Sequence, residues 1–285
     1  MEEAKKIKVY QPKGILIQLF GLMAPERWRE ETGLPFVKAN LKDFLKRKQK
    51  DGKVLIRIEG LRSIARQNAE VDDSAPQIEE DTVTPDDVIA SVIAFLEWQY
   101  ARGRSNRATK SLENMLMDDG FERGLLKLTI YDDVAPALTA WHAIGCKIFV
   151  DCPHLTSDEG RLYMQNTNVG DMARLIDGFF GNDKTFMTTE AETSYRNILS
   201  SIAIPIPDLL FITHIGQRAK QMADDFKIPI LLIDRNDNRK IRKYYLIRFR
   251  CVFKLTQTRF VKRRGQPGEK SPRSTATAAS VKSKP

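Results

Sequence analysis

The chain has 285 residues, 42% of them hydrophobic, which suits one large domain or a core with a small inserted domain. No apolar run reaches the roughly 18 residues of a membrane helix, and the charged N-terminus lacks the apolar stretch of a secretory signal. The three cysteines show no zinc-type pairing, which favours a reducing compartment. We therefore expect a cytoplasmic protein with no membrane association.

The net charge of +9 is concentrated at the end of the chain. Residues 256–285 contain eight of the 46 basic residues and only one of the 37 acidic residues. The high isoelectric point therefore describes this segment more than the folded body.

Four short apolar segments predict buried strands. They are residues 15–20 (ILIQLF), 147–150 (KIFV), 209–213 (LLFIT) and 230–233 (ILLI). Continuous apolar runs of this length are typical of parallel strands buried on both faces. Helical segments alternate with the later strands, so the fold class is α/β, a three-layer doubly wound parallel sheet wrapped by helices.

Helical signals dominate residues 26–128, between the first strand and the rest of the sheet. Thr84 is placed to cap a helix that has Pro85 at its first position, and Gly103 ends the apolar stripe that follows. A second helix is predicted from Asp133 to Gly145, directly before the strand at 147–150. We predict a core made of residues 1–25 and 129–255, with 26–128 inserted as a helical cap.

Residues 256–285 are predicted to form a basic tail, and the part after Lys262 lacks the apolar side chains needed to order it. The basic run at 262–264 has three open interpretations: a nuclear-import signal, a weak polyanion contact, or no function of its own. Just before the tail, residues 246–255 (LIRFRCVFKL) alternate like an edge strand.

The carboxyl ends of the predicted strands carry polar and reactive side chains, at the place where doubly wound folds bind ligands. They are Gln18 and Phe20, Asp151 and Cys152, and His214. A drifted, apolar-filled pocket is the favoured interpretation. A transition-metal site that also uses His154, and a nucleophilic Cys152, remain open as alternatives. The acidic pairs elsewhere are interpreted as solvated caps rather than as a relocated metal site: Asp72-Asp73, Asp86-Asp87, Asp118-Asp119 and Asp132-Asp133.

Several ordered segments carry a family resemblance. They are YDDVAPALTAWHAIGCKIFV at 131–150, Gly170-Asp171, residues 175–179, residues 193–198 and residues 210–213. Over about 14–255 the chain resembles the enolase-phosphatase family (acireductone synthase) of haloacid-dehalogenase-like hydrolases, which are enzymes of methionine salvage. The similarity is weakest in the predicted cap.

The resemblance implies a mechanism that this chain lacks the residues to perform. Members of the family transfer a phosphoryl group through an aspartyl-phosphate and use Mg²⁺. The nucleophile and acid positions are occupied by Gln18 and Phe20, and the metal positions by these two residues and His214. The phosphate-binding positions fall on Asp151 and Cys152, with the lysine position at Thr189 or, with an offset, at Lys184.

We therefore expect a pseudoenzyme of enolase-phosphatase descent that acts, if at all, by binding a ligand or a protein partner. A residual phosphorylated small molecule is the expected ligand, Mg²⁺ binding is expected to be absent or weak, and the protein is expected to be a monomer. One alternative is an active Mg²⁺-dependent enolase-phosphatase acting on the phosphorylated methylthio-diketopentane of methionine salvage. The other is a polyanion-binding protein that contacts nucleic acid weakly through its tail.

Overall fold

The computed structural model describes residues 7–183, 191–233, 235, 250–252, 255 and 258–261. A π-helical turn, Arg29–Gly33, leads into the first of five consecutive helices. The elements in chain order are β1 (Ile7–Tyr10), β2 (Gly14–Gln18), α1 (Leu34–Arg47), α2 (Gly52–Ala69), α3 (Pro85–Ala101), α4 (Arg107–Glu122), α5 (Val134–Ala143), β3 (Lys147–Cys152), α6 (Ser157–Gln165), β4 (Gly178–Gly181), α7 (Ala191–Ser201), β5 (Leu209–Thr213), α8 (Gly216–Phe226), β6 (Ile230–Ile233), β7 (Arg250–Val252) and β8 (Thr258–Val261).

Six strands form one parallel sheet in the order β4-β3-β2-β5-β6-β7. Every residue of β2 and β5 is buried, because helices cover both faces of the sheet. Ile15 and Ile17 belong to one hydrophobic cluster, whereas Leu16 between them packs with Phe211 in a second cluster on the opposite face. The prediction of a three-layer doubly wound sheet is confirmed.

Two strand ends differ from the predictions, and one strand was not predicted. Strand β2 ends at Gln18, because the chain turns at Gly21, which has a φ of +80°. Strand β3 continues through Cys152, two residues beyond the predicted end. Strand β4 was not predicted, because two of its four residues are glycines, which seldom occur in strands. A Cβ atom at Gly181 would overlap the backbone of Leu155 and Ser157, so close packing requires glycine there.

Helices α1 to α4 lie between β2 and β3 in the chain and pack on one another. Helix α4 also packs against α6, which follows β3. The predicted start of α3 is confirmed: Thr84 Oγ1 accepts a hydrogen bond from Asp87 N, and Pro85 is the first helical residue. Residues 66–69 form the last turn of α2. The division into core and cap at residues 26 and 128 stays a prediction.

The end of the chain is described only in short pieces. Strand β7 lies at the edge of the sheet, as predicted for the segment at 246–255. Strand β8 pairs in parallel with β1, so the prediction of a tail over 256–285 is wrong for residues 258–261, whose Thr-Arg-Phe-Val sequence has high strand propensity. Residues 262–285, including the basic run at 262–264, lie outside the described residues. Among the described helices, none is both long enough and apolar enough to cross a bilayer.

A buried ion pair connects the chain after β6 to the start of α5. Arg235 Nη1 donates to Asp133 Oδ1 at 2.7 Å, and Arg235 Nη2 donates to the carbonyl oxygen of Leu22 at 2.8 Å. The other oxygen of Asp133 accepts from the backbone N–H of Leu255. The Arg235 guanidinium also lies 4.4 Å from the centre of the Tyr131 ring. The interpretation of Asp133 as a solvated cap is therefore wrong: its side chain is 6% exposed, and the Arg235 that pairs with it is far away in the sequence.

Candidate functional site

A cavity of about 610 Å³ lies at the carboxyl ends of β2, β3 and β5. The parallel register places Gln18 directly beside Asp151 on the neighbouring strand, and His214 follows β5. The cavity therefore brings together five of the candidate residues named from the sequence, Gln18, Phe20, Asp151, His154 and His214, as expected for strand ends that meet at one edge of a sheet. The lining residues are Gln18, Phe20, residues 26–30, Lys110, Asn114, Asp151, residues 153–155, Tyr163, His214, Ile215 and Arg218.

The amide of Gln18 is held in one orientation. The Thr213 hydroxyl donates to Gln18 Oε1, and its own oxygen accepts from Ile215 N at 3.1 Å. On the other side, Gln18 is the register partner of Asp151 on the neighbouring strand, and its amide lowers the pKa of that carboxyl group. Because a carboxylate only accepts hydrogen bonds, the amide nitrogen is the end of Gln18 that faces Asp151. The side chain is 3% exposed, and both of its polar ends lie against polar groups of the protein.

Asp151 is the most buried charged group of the cavity. Tyr195 OH donates to Asp151 Oδ2 at 2.7 Å, and Arg218 Nη1 lies 3.8 Å from the same oxygen. Burial raises the pKa of Asp151, against the hydrogen bond from Tyr195 and the charge of Arg218, which lower it. Burial and the neighbouring carboxyl group also raise the pKa of Tyr195 well above its usual value.

Tyr195 and Arg218 are functional-site residues that the sequence analysis missed. Tyr195 lies in α7 within the segment 193–198 that carries the family resemblance, and nothing in that segment indicates which strand end its hydroxyl reaches. Arg218 lies in the first turn of α8, where nothing in the sequence distinguishes it from the other basic residues.

Cys152 does not lie on the cavity. Its side chain is fully buried, and its thiol donates to the carbonyl oxygen of Phe180 at 3.3 Å. A Cβ atom added at Gly160 would lie 2.7 Å from Cys152 Sγ, so the thiol packs against α6. Burial raises the pKa of this thiol far above its usual value. A phosphate-binding Cys152, or the alternative of a nucleophilic Cys152, needs a thiol that faces the cavity. Successive side chains of a strand point to opposite faces, and of Asp151 and Cys152 it is Asp151 that lines the cavity.

The imidazole of His214 packs on the turn after β2. His214 is 4% exposed, and a Cβ atom at Gly21 would overlap its ring. Any larger residue at position 21 would therefore displace His214, in addition to straining the backbone at a φ of +80°.

The residues at the three positions where the family resemblance places Mg²⁺ ligands do not fit this ion. This ion takes oxygen ligands, mainly carboxylates and water. The Gln18 oxygen accepts the Thr213 hydroxyl, Phe20 has no donor atom, and His214 offers only ring nitrogens. Within the described residues no group of three histidine, cysteine, aspartate or glutamate side chains is arranged to hold a metal ion. Lys184 and Thr189, the two candidates for the lysine position, lie outside the described residues.

Phe20 begins a row of aromatic rings that crosses from the sheet to the helical insertion. Its ring centre lies 6.3 Å from that of Trp28, and Trp28 lies 5.8 Å from Phe121 of α4. Phe121 in turn lies 4.2 Å from Tyr163 of α6. Aromatic pairs at these distances contribute favourably beyond the area that they bury. Phe20 therefore stabilises the wall of the cavity.

Polar contacts also connect the helical insertion with α6. Arg29 Nη2 donates to Glu113 Oε2 at 2.6 Å, and Arg29 Nη1 donates to Asn114 Oδ1 at 2.8 Å. Asn114 Nδ2 donates to Glu159 Oε1 of α6 at 3.2 Å. The positive charge of Arg29 is thus already paired, although its side chain lines the cavity.

Asp118, one turn further along α4, is predicted to make stability depend on pH. Burial, followed by repulsion from Glu159 and Glu122, raises its pKa from 3.8 to about 7. The folded state then holds the proton more tightly than the unfolded state, so stability decreases as the pH rises from about 4 to about 7. We expect Asp118→Asn to remove about 1–3 kcal/mol of this decrease, after allowance for the partial exposure of the side chain.

Denaturant unfolding of both proteins at pH 5 and pH 8 measures this difference. Asp73→Asn, at an exposed position, is the matched control and is expected to leave the pH dependence unchanged. An Asp118→Asn protein with the same pH dependence as the native chain would contradict the prediction. Asp118 is also a second case in which an acidic pair is not a solvated cap, since Asp118 Oδ1 is buried and has no hydrogen-bond partner among the described residues.

Comparison with known proteins gives the relationship of the chain. No family model matches it. It is 29% identical over 210 residues to the probable bifunctional methylthioribulose-1-phosphate dehydratase/enolase-phosphatase E1 of Populus trichocarpa, aligning 73% of this chain with 40% of that protein. It is 24% identical over 235 residues to the enolase-phosphatase E1 of Anopheles gambiae, covering 82% of this chain and 77% of that one.

The similarity extends to a solved structure, but the lengths of some relatives differ greatly from this chain. The chain spans only 21% of the enolase-phosphatase E1 of Aedes aegypti. The crystal structure of the UTR4 protein of Saccharomyces cerevisiae superposes with a TM-score of 0.63 at 16% identity, covering 86% of this chain and 98% of that chain, which establishes the shared fold. The chain is thus a divergent relative of the enolase-phosphatase E1 proteins and shares the fold of the UTR4 protein.

Proposed function

We propose that this protein is a non-catalytic relative of the enolase-phosphatases that binds a small molecule or a partner at the cavity. The observation that carries the proposal is the state of Gln18. Its carboxamide stands where the family resemblance places the nucleophilic carboxylate, its oxygen accepts the Thr213 hydroxyl, and it lies beside Asp151 on the neighbouring strand. A buried carboxamide held in this way is not a nucleophile for phosphorus.

The other replacements act in the same direction. Hydrolysis of a phosphate monoester requires accelerations of up to about 10²¹-fold, of which general acid catalysis typically contributes about 10²–10⁴. The Phe20 ring has no proton to donate, and it packs against Trp28. The oxygen ligands that Mg²⁺ requires are not supplied by Gln18, Phe20 and His214. An inactive site is the function class that these residues favour over the enzyme of methionine salvage.

Binding is favoured by the cavity itself. Its volume of about 610 Å³ is in the range of small-molecule sites, and it combines aromatic walls with a few fixed polar groups. Phe20, Trp28 and Tyr163 offer ring surface, while Asp151, His154 and Arg218 offer polar contacts. We propose a polar small molecule of this size as the ligand.

The test is a phosphatase assay with Mg²⁺ and a generic aryl phosphate. The native protein is expected to show no turnover above a heat-denatured sample. A variant that combines Gln18→Asp, Phe20→Glu, Asp151→Ser and His214→Asp restores the groups that the resemblance implies and serves as the comparison. Turnover gained only by this variant would support the proposal. Mg²⁺-dependent turnover by the native chain would contradict it, and a Gln18→Ala variant would then show whether Gln18 takes part.

A further inference from the structure

Three side chains that can donate hydrogen bonds surround one buried carboxylate of the cavity. Tyr195 OH donates to Asp151 Oδ2 at 2.7 Å, and the charged Arg218 Nη1 lies 3.8 Å from the same oxygen. Gln18 is the register partner of Asp151 on the neighbouring strand, and its amide lowers the pKa of the Asp151 carboxyl group. A hydroxyl, a guanidinium and an amide N–H₂ are all donors, and together they form a cradle for a negatively charged oxygen group.

The neighbouring residues fix the geometry of this cradle. The Thr213 hydroxyl donates to Gln18 Oε1, which turns the amide nitrogen towards Asp151. The Arg218 guanidinium lies 5.6 Å from the centre of the Tyr195 ring, so the two donors support each other. The donors are therefore held in place by contacts other than their bonds to the carboxylate.

The carboxylate of Asp151 and the guanidinium of Arg218 both face the cavity. Both residues line it, and the Arg218 side chain is 27% exposed. An oxyanion that entered the cavity would meet the same donors. It would also meet the Asp151 carboxylate, which repels it and already occupies the donors.

We propose that Gln18, Tyr195 and Arg218 form an oxyanion-binding cradle and that the Asp151 carboxylate is its built-in occupant, which excludes phosphate and other external oxyanions from the native cavity. The inference rests on the proposed non-catalytic function and narrows it. The ligand is then not the phosphorylated small molecule that the family resemblance suggests, but a compound without a phosphate group in contact with the cradle.

The test is a calorimetric titration of the protein with inorganic phosphate, without Mg²⁺ and at constant ionic strength. The native protein is expected to show no saturable binding at phosphate concentrations up to ~10 mM, a range in which even a weak site would be detected. Asp151→Ser removes the occupant and leaves the three donors, so it is expected to bind phosphate at least about tenfold more tightly than the native protein. Adding Arg218→Met to this variant is expected to abolish the gain.

The matched control is Asp43→Ser, which removes an exposed carboxylate on α1 and is expected to create no phosphate affinity. Saturable phosphate binding by the native protein that Arg218→Met abolishes would overturn the inference, and this measurement does not depend on the folding of any Asp151 variant. A folded Asp151→Ser protein that gains no affinity would overturn it as well.

The two proposals fail separately. Mg²⁺-dependent turnover by the native chain would remove the proposed function, and the inference with it. If the native chain shows no turnover and its Asp151→Ser variant does not bind phosphate, only the proposal that Asp151 occupies the cradle is overturned.

Discussion

Replacing Arg235 by alanine is expected to lower the free energy of unfolding by about 3–5 kcal/mol. The guanidinium is 7% exposed and donates to Asp133 Oδ1 and to the carbonyl oxygen of Leu22. Its removal leaves the Asp133 carboxylate buried and without its counter-charge, and the cost of such an unpaired charge exceeds the net contribution of the pair. Equilibrium denaturation at neutral pH measures the loss.

Lys147→Ala is the matched control for this prediction. Lys147 Nζ also lies 2.7 Å from a carboxylate, that of Asp177, but its side chain is 62% exposed. Exposed pairs contribute between 0 and about 1 kcal/mol, so a small loss is expected. An Arg235→Ala protein that loses no more stability than Lys147→Ala would show that burial of the Arg235–Asp133 pair has no energetic consequence.

The Trp28→Ala variant is expected to lose about 3–5 kcal/mol of stability. Trp28 is 1% exposed and lies between Phe20, which follows β2, and Phe121 of α4. Its removal leaves a void in the wall of the cavity and breaks the row of rings that crosses to the helical insertion. Thermal and chemical unfolding are the measurements.

Trp28→Phe separates ring packing from hydrogen bonding. The indole Nε1 is buried and has no hydrogen-bond partner among the described residues. Phenylalanine therefore keeps the aromatic contact without abandoning a hydrogen bond, and we expect it to recover most of the loss. Ile56→Ala, at a position that is 68% exposed, is the surface control. A Trp28→Phe protein as unstable as Trp28→Ala would indicate that a bond from Nε1, rather than ring packing, stabilises this region.

The sheet could be predicted from the sequence because its strands are buried on both faces. An apolar run such as residues 209–213 then appears without the polar interruptions that blur strands at a surface. The same burial places the ends of β2, β3 and β5 at one edge, which is why Gln18, Asp151 and His214 were expected together and are found around one cavity. Strand β4 escaped prediction because its glycines are required by packing contacts that the local sequence does not reveal.

The partners of the cavity residues could not be predicted, because they depend on contacts between distant segments. Tyr195 is 44 residues from Asp151, and Arg235 is 102 residues from Asp133. The sequence also could not predict on which face of β3 the side chain of Cys152 lies, because a one-residue shift in a strand exchanges the two faces. Local patterns indicate where a strand ends, whereas the long-range hydrogen bonds decide which of its last residues enters the site.

The register between β2 and β3 couples two positions of the cavity. Gln18 and Asp151 are paired across neighbouring strands. A Gln18→Asp change alone would place two buried carboxylates side by side, while an Asp151→Ser change alone would remove the carboxylate that accepts from Tyr195 and lies near Arg218. Each change towards the residues that the family resemblance places here is therefore unfavourable unless the other accompanies it. The two positions are expected to change together rather than one at a time.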